Sequence, residues 1–259
     1  MRIGRLIVAL CLLALFVPES AADWTASGRA LYRDREFDTT GFTGVEPLLP
    51  VRFADIEVLD AVTSTILATG VTDASGDFSL LVVDSEVRDV FVRFLARSDS
   101  TADLFLTATT GAGAPYAVAS PTVSGHDPGT SIDWGALVAE IGQGGEGFNL
   151  FDMGLLGIDY LAALQGSRPG ANDALAIVWE TARGQSGSFA TSSSIQMRDS
   201  GGYDDTVVLH EFAHFAVFNY SDSDSPGGFH ALADCLQDPR LAWDEGHASF
   251  FGNSILRCA

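Results

Sequence analysis

The sequence contains no lysine, so all 14 of its basic residues are arginine, against 34 aspartate and glutamate residues. The formal net charge at pH 7 is -20. A surface this acidic repels phosphate backbones and anionic lipid headgroups. The composition therefore argues against nucleic acid or a membrane surface as a partner, and it favours a well-solvated protein.

Cysteine is also scarce, with three residues in a chain of 259. Cys11 lies in the apolar run "LIVALCLLALFV", which follows the basic opening "MRIGR" and precedes the small residues of "PESAA". This order is typical of a cleavable secretory signal over residues 1–22, with cleavage after Ala22. Cys235 and Cys258 would remain in the exported chain, where an oxidising compartment favours a disulfide between them.

Long apolar runs are missing from the rest of the chain. The run in the signal has about 12 residues, whereas a transmembrane helix needs roughly 20. Leu10 precedes Cys11 where a lipoprotein signal has a small residue, so a lipid anchor is not expected either. We therefore expect a secreted or periplasmic protein with no membrane anchor, and the sequence predicts no oligomeric state.

Residues 23–107 have the pattern of short strands joined by turns. The stretch "VRFADIEVLD" has apolar residues at Phe53, Ile56 and Val58, and "TSTILATGVTD" and "DFSLLVVD" flank the turn "DASGD". Tight turns favour Asp and Gly, and short strands at this spacing predict an all-β sandwich. Residues 108–135 are rich in Gly, Ala, Ser, Thr and Pro without periodicity, which indicates a linker.

Residues 136–259 alternate helical and strand patterns, so the predicted fold class is multidomain: an all-β sandwich followed by an α/β (α+β) domain. "DALAIVWET" and "TSSSIQMRDS" are predicted strands, and "SSSIQMRD" is the expected open edge along which an extended peptide could add. Two helices are predicted at "VVLHEFAHFAVF", capped by Asp204 or Asp205, and at "DPRLAWDEGHASFFGNSIL", capped by Asp238. An earlier amphipathic helix has apolar residues three and four apart, at Phe148, Phe151, Leu155, Ile158, Leu161 and Leu164.

The stretch "VVLHEFAHFAVF" is almost wholly apolar, yet it carries His210, Glu211 and His214. A helix that is apolar on all sides is normally buried, and an unpartnered buried carboxylate is costly. Histidines four residues apart lie on one side of a helix, so both can bind a single Zn²⁺. Glu211 lies about 100° further round the helix. It can reach a water on the metal and take its proton.

A third ligand is expected after His214, because catalytic zinc centres use three protein ligands and a water. Glu245 is favoured, since it shares a helix face with Leu241 and Ala248, whereas Asp244 diverges from it by about 100°. Asp244→Ala is therefore expected to change zinc binding little. The full set of candidate ligands after His214 is Asp222, Asp224, His230, Asp234, Asp238, Asp244, Glu245 and His247.

His230 and His247 could hydrogen-bond an oxyanion or orient a ligand, although a structural or surface role would explain each of them as well. Trp243 and Phe250 are expected in the core. The stretch "SDSDSPGG" has alternating carboxylates like part of a calcium loop, but it lacks the full ligand set. A solvated turn is therefore favoured over a Ca²⁺ site.

Both halves resemble known families. "SGRALY", "PVRFADIEVLD" and "TSTILATGVTDASGDFSLLV" are similar to the carboxypeptidase regulatory-like (transthyretin-like) sandwich, an accessory module without chemistry of its own, although an immunoglobulin-like sandwich has the same strand rhythm. H-E-x-x-H resembles the zincin metallopeptidases. Val217 and Tyr220 stand where metzincins have Gly and His, whereas "AWDEGHASFF" resembles the gluzincins. In that branch a Glu-Gly pair, here Glu245 and Gly246, completes the site, and the glycine lets its helix approach the first.

The resemblance implies a secreted zinc metallopeptidase with one Zn²⁺ per chain, the ligands His210, His214 and Glu245, the base Glu211, and a peptide or protein as substrate. Fourteen residues follow Glu245, fewer than gluzincins usually have, which fits a truncated chain, an open and minimal cleft, or a fold that binds zinc without turnover. The alternative function is a non-catalytic binding or adhesion protein whose zinc site is structural or degenerate. An Asp or His in a fourth ligand position would favour that alternative, because structural zinc sites are closed.

Overall fold

A computed structural model of the chain describes residues 23–38, 40–98, 104–168, 174–228, 230 and 236–258. The signal peptide predicted over residues 1–22 lies outside these ranges, as do Asp234 and Cys235. Cys258 is exposed near the end of the last helix. The cleavage site and the disulfide between Cys235 and Cys258 therefore stay predictions.

The described part of the chain is mostly β-sheet with three helices, which confirms the expected β-rich character. The helices are α1 (Gly145–Gln165), α2 (Asp205–Tyr220) and α3 (Pro239–Cys258). The strands are β1 (Asp23–Arg33), β2 (Phe37–Asp38), β3 (Gly41–Phe42), β4 (Leu48–Pro50), β5 (Asp55–Asp60), β6 (Ile66–Val71), β7 (Asp77–Val83), β8 (Arg88–Leu95), β9 (Arg97–Ser98), β10 (Leu106–Thr109), β11 (Ala117–Ala119), β12 (Val123–His126), β13 (Ile132–Ala139), β14 (Leu175–Val178), β15 (Phe189–Ala190) and β16 (Ser194–Gln196).

Two large sheets form the N-terminal half, beside a small sheet in which β2 pairs with β3. In the first, β13 pairs with one edge of β1, and β7 and β4 share the other edge. In the second, β11 and β12 pair with β8, which continues to β5 and β6. Side chains alternate between the two faces of a strand, so every second residue can be buried. Both sheets contribute their inward residues to one apolar core, including Trp24, Ala26, Ile56, Val58, Phe78, Leu80, Val82, Val90, Val92 and Phe94.

The structure corrects the linker predicted over residues 108–135. Strands β11 and β12 lie within this segment and extend the second N-terminal sheet, while β13 crosses the expected boundary at 135 and pairs in parallel with β1. Strand β10 crosses the other boundary, at 107, and belongs to a third sheet. The composition hid these strands because β11 and β12 are only three and four residues long and mostly not buried.

The third sheet has the strand order β15-β16-β14-β10-β9. Strands β10, β14 and β16 are parallel, and β15 runs antiparallel to β16 at the edge. The prediction that "SSSIQMRD" forms the open edge is therefore wrong, because β16 is paired on both sides. The edge is β15, a two-residue strand in the Gly/Ser-rich stretch that precedes it. Helix α1 packs on β10 and β14, and α2 packs on β15 and β16.

Helix α1 lies in the core. Five of its six predicted apolar positions are buried, and Leu164 is 63% exposed. Contrary to the sequence-based expectation, α1 is long and apolar enough to cross a membrane by length and composition, with a mean hydropathy of 1.2. Since 67% of that window is buried inside the protein, packing in the core accounts for its apolar side chains.

Polar contacts tie α1 to the N-terminal sheets. The Tyr32 hydroxyl donates to Asp152 Oδ2 at 3.0 Å, and Arg52 Nη2 lies 2.6 Å from Asp152 Oδ1. Burial raises the pKa of Asp152, and the Arg52 charge opposes that rise. The buried carboxylate thus has two donors, as a buried charge requires.

The predicted caps of α2 and α3 are confirmed. The Asp204 side chain accepts from the backbone N–H of Val207 at the start of α2. Asp238 Oδ1 accepts from the backbone N–H of Arg240, and Pro239 is the first residue of α3. These carboxylates satisfy N–H groups that have no partner inside the helix. Along α3, the expectation of core positions for Trp243 and Phe250 is wrong, because they are 61% and 73% exposed.

Helices α2 and α3 approach closely at Gly252, whereas the sequence-based prediction assigned this role to Gly246. A Cβ added at Gly252 would lie 2.9 Å from the backbone carbon of Leu209 and 3.0 Å from the backbone nitrogen of His210. A Cβ at Gly246 would meet nothing within 4 Å. The two helices therefore approach one turn and a half beyond the Glu-Gly pair, directly against the backbone of His210.

Gly252→Ala is expected to destabilise the protein by about 1–3 kcal/mol, because backbone atoms cannot move aside as a flexible side chain would. Gly246→Ala is the matched control and should be neutral or slightly stabilising, since alanine favours helix by up to about 1 kcal/mol. Urea unfolding midpoints of the two variants and the parent measure the difference. Equal midpoints for Gly252→Ala and the parent would contradict the close approach.

Candidate metal centre

Three predicted ligands converge between α2 and α3. The ligand atoms of His210, His214 and Glu245 all lie within 4.8 Å of one another. His210 Nε2 lies 3.1 Å from His214 Nε2 and 3.2 Å from Glu245 Oε2, and His214 Nε2 lies 3.4 Å from Glu245 Oε1. The structure thus brings a residue from α3 against two residues one turn apart on α2.

The other ring nitrogen of each histidine points at a separate partner. His210 Nδ1 lies 3.2 Å from Ser249 Oγ, and His214 Nδ1 lies 3.5 Å from Asp244 Oδ2. Metal-binding histidines commonly hold their second nitrogen in this way, which fixes the ring orientation and the tautomer. Sequence reasoning missed Ser249, although it follows Glu245 by four residues and therefore shares its helix face.

Asp244 does not face away from the cluster. Its side chain is buried, with 5% of the residue exposed, and Oδ1 has no hydrogen-bond partner in the described part of the chain. Asp244 and Glu245 point in directions about 100° apart on α3, as neighbouring helical residues do. Both still reach the cluster, because α2 presents two imidazoles one turn apart. Asp244 therefore reaches the outer nitrogen of His214 while Glu245 reaches the inner nitrogens.

The residues present fit a zinc ion. Two histidine nitrogens and one carboxylate are a ligand set used by catalytic zinc, and Zn–N and Zn–O bonds of about 2.0–2.1 Å place tetrahedral ligands roughly 3.3 Å apart. The two histidine Nε2 atoms are 3.1 Å apart, and each has a different Glu245 oxygen at 3.2 or 3.4 Å, so these distances are close to that spacing. Two imidazole nitrogens facing each other at hydrogen-bond distance also need a proton or a cation between them.

Burial and the neighbouring histidines have opposite effects on the pKa of each glutamate in the cluster. Burial raises the pKa of Glu211, which is 7% exposed, and the charges of His210 and His214 only partly oppose this. Burial also raises the pKa of Glu245, but hydrogen bonds from His210 and His214 outweigh it and hold the pKa well below its usual range. Of the two, Glu211 is therefore the carboxylate with the greater proton affinity.

His230 joins the cluster, whereas Asp222, Asp224, Asp238 and His247 do not. His230 Nε2 lies 3.1 Å from Glu245 Oε2, from the segment between α2 and α3. His247 stacks on Trp243, with ring centroids 5.3 Å apart. The aspartates lie elsewhere: Asp224 pairs with Arg240 at 3.5 Å, Asp238 caps α3, and Asp222 and Asp224 line a separate cavity. Asp234 lies outside the described residues.

Two cavities meet at the cluster and form one groove, whose shared lining residues are Ser188, His210, Glu211, His230 and Glu245. On one side, the apolar half is lined by Phe189, Ala190, Phe218 and Leu241, together with Gly227, Gly228, His214 and Asp244. On the other side, the polar half is lined by Ser186, Gly187, Arg198, Thr206, Val207, Ser249 and Asn253. The edge strand β15 and the residues before it border the groove along both halves.

Comparison with known proteins assigns no family. No family model matches the chain. An uncharacterized protein of Archaeoglobus fulgidus is 32% identical over 68 residues, which are 26% of this chain and 20% of that protein, so the match spans about a fifth of the relative's length. The crystal structure of a 9R-lipoxygenase from Cyanothece PCC8801 aligns with a TM-score of 0.27 and 16% identity, over 57% of this chain and 25% of the lipoxygenase.

Proposed function

We propose that this protein is a secreted zinc metallopeptidase, built from a β-sandwich and a zincin-like α/β domain. The observation that carries the proposal is the convergence of His210, His214 and Glu245 at zinc-ligand spacing, with Glu211 beside them at an open groove. A partly buried set of two histidines and one carboxylate in a groove supports a catalytic site better than a structural one, since a catalytic site leaves a position for water.

The residues of this chain divide the work of peptide hydrolysis. Zinc, when bound, would polarise the carbonyl of the scissile bond and lower the pKa of a water toward about 7. Glu211 accepts the proton of the attacking water and delivers it to the leaving amine, a role that its raised pKa favours. Ser249 and Asp244 hold the two imidazoles in place. To His230, whose Nε2 lies 3.1 Å from Glu245 Oε2, we assign donation to the oxyanion of the tetrahedral intermediate.

One observation favours the alternative of a non-catalytic protein with a structural zinc site. His230 Nε2 lies as close to Glu245 as the two predicted histidine ligands do, at 3.1 Å. As a fourth ligand it would close the site. Its side chain is 34% exposed, and His230 does not belong to the group of donors that lie within 4.8 Å of one another, so an open site is the better supported arrangement.

His230→Ala separates the two functions. For a peptidase we expect about one zinc per chain, unchanged zinc affinity, and a loss of peptide hydrolysis on the order of 100-fold or more, as when an oxyanion donor is removed. Zinc content by mass spectrometry and cleavage of an unbiased peptide library measure both, and His247→Ala is the control. A large loss of zinc affinity in His230→Ala would favour the structural site, and protein that is metal-free yet fully stable would reject both functions.

A further inference from the structure

The polar half of the groove contains a cation that the proposed chemistry does not use. Arg198 lines this half, and in the described part of the chain it is the one arginine lining either half of the groove. Its Nη2 donates to Asp204 Oδ2 at 2.5 Å, and Asp204 in turn caps α2. The guanidinium is thereby held beside the first turn of the helix that carries both histidines.

Part of the Arg198 guanidinium lacks an acceptor. The Nε–H group is buried and has no hydrogen-bond partner in the described residues, although the side chain as a whole is 42% exposed toward the groove. A planar guanidinium binds carboxylates particularly well. Since the buried Nε lies out of reach of a bound molecule, the exposed part of the guanidinium is what can donate to a carboxylate in the groove.

The direction of β15 determines which end of a substrate meets Arg198. The chain runs from Ser186 in the polar half to Ala190 in the apolar half. A peptide that adds to this edge in antiparallel fashion, the more stable pairing, runs the opposite way. Its N-terminal side then lies against Phe189, Phe218 and Leu241, and its C-terminal side lies beside Arg198.

We infer that the groove selects peptides with an apolar residue on the N-terminal side of the scissile bond and a carboxylate on the C-terminal side, bound by Arg198. The inference rests on the proposed peptidase function and adds its substrate class. The carboxylate has two chemical sources, the free C-terminus of a short peptide or the side chain of an acidic residue. Both present the same pair of oxygens to the guanidinium.

Binding to zinc-loaded Glu211→Gln protein tests the inference without turnover. Fluorescence anisotropy would compare one labelled peptide in three forms: the C-terminal acid, the C-terminal amide, and the amide with Glu in place of Gln after the apolar residue. At least one carboxylate form should bind about tenfold or more tightly than the neutral amide, as a charge-assisted hydrogen bond implies. The stronger of the two identifies the source of the carboxylate.

Arg198→Met, made in the same background, should abolish this preference, and Arg29→Met, which removes an ion pair with Asp77 in the N-terminal sheet, should keep it. Arg198→Lys keeps a positive charge beside Asp204 and replaces Arg198→Met in the experiment if the methionine variant loses zinc. It should reduce the preference for the carboxylate peptides. Equal binding of all three peptides, or a preference unchanged by both Arg198 variants, would overturn the inference. If the parent protein hydrolyses all three peptides equally well, the inferred carboxylate preference is wrong but the peptidase function stands. If the carboxylate peptides bind more tightly but are not hydrolysed, the peptidase function is wrong but the binding preference stands.

Discussion

Glu211→Gln is expected to lower the kcat of peptide hydrolysis by about 100- to 10,000-fold, the range over which general base catalysis contributes. Glutamine has nearly the same shape as glutamate but cannot accept the proton of the attacking water. Glu211 is 7% exposed and lies outside the three-residue ligand set, so the variant should keep the zinc content of the parent. Loss of activity with retained metal identifies Glu211 as the base and not as a ligand.

The measurement pairs metal analysis with the initial rate of cleavage of a peptide found in the library. Glu86→Gln is a suitable control, because Glu86 is an exposed carboxylate that pairs with Arg88 in the N-terminal half. That variant should keep the parent rate. A Glu211→Gln protein with parental activity would show that another group takes the proton, and one that has lost its zinc would make Glu211 part of the metal site.

Glu245→Ala is expected to weaken zinc binding more than any neighbouring substitution on α3. The side chain supplies the one carboxylate among the three donors, and its two oxygens face both histidine Nε2 atoms, at 3.2 and 3.4 Å. Asp244→Ala should weaken binding by about 10- to 100-fold, since groups that orient a ligating histidine usually contribute that much. Glu245→Ala should exceed this, because two protein ligands are too few for a stable centre.

Competition with a chromogenic chelator gives the zinc affinities, and thermal unfolding with and without zinc gives a second measure. A bound metal stabilises the fold in proportion to the logarithm of its concentration over Kd, so the zinc-dependent rise in Tm should shrink in the order parent, Asp244→Ala, Glu245→Ala. Asp222→Ala, on the loop after α2, is the control. Equal affinity of Glu245→Ala and the parent would remove Glu245 from the ligand set.

The parts of the site that lie on one helix could be predicted from the sequence. The spacing of His210 and His214, the position of Glu211 and the cap at Asp204 all follow from the geometry of a single α-helix. Glu245 could be placed as well, because its helix face is defined by Leu241. These are local relations, and they depend little on how the rest of the chain folds.

Features that depend on the packing of distant segments could not be predicted. Asp244 was expected to face away because its own helix suggests so, and only the position of His214 on α2 gives it a partner. Gly246 and Gly252 are equivalent in sequence terms, and the crossing of the two helices decides which one is needed. The edge strand β15 has two residues, so periodicity gives no signal for it.

The pairing of β1 with β13 has a consequence for how the chain is made. These strands are neighbours in the sheet although Thr25 and Ser131, bonded to each other at its end, are 106 residues apart in sequence. During synthesis β1 emerges long before β13, so one of its edges stays open while β7 covers part of the other. Unpaired strand edges template association between chains, and such distant pairings form slowly. Until β13 has been made, the N-terminal half of the chain cannot complete this sheet, and the free edge of β1 can pair with other chains.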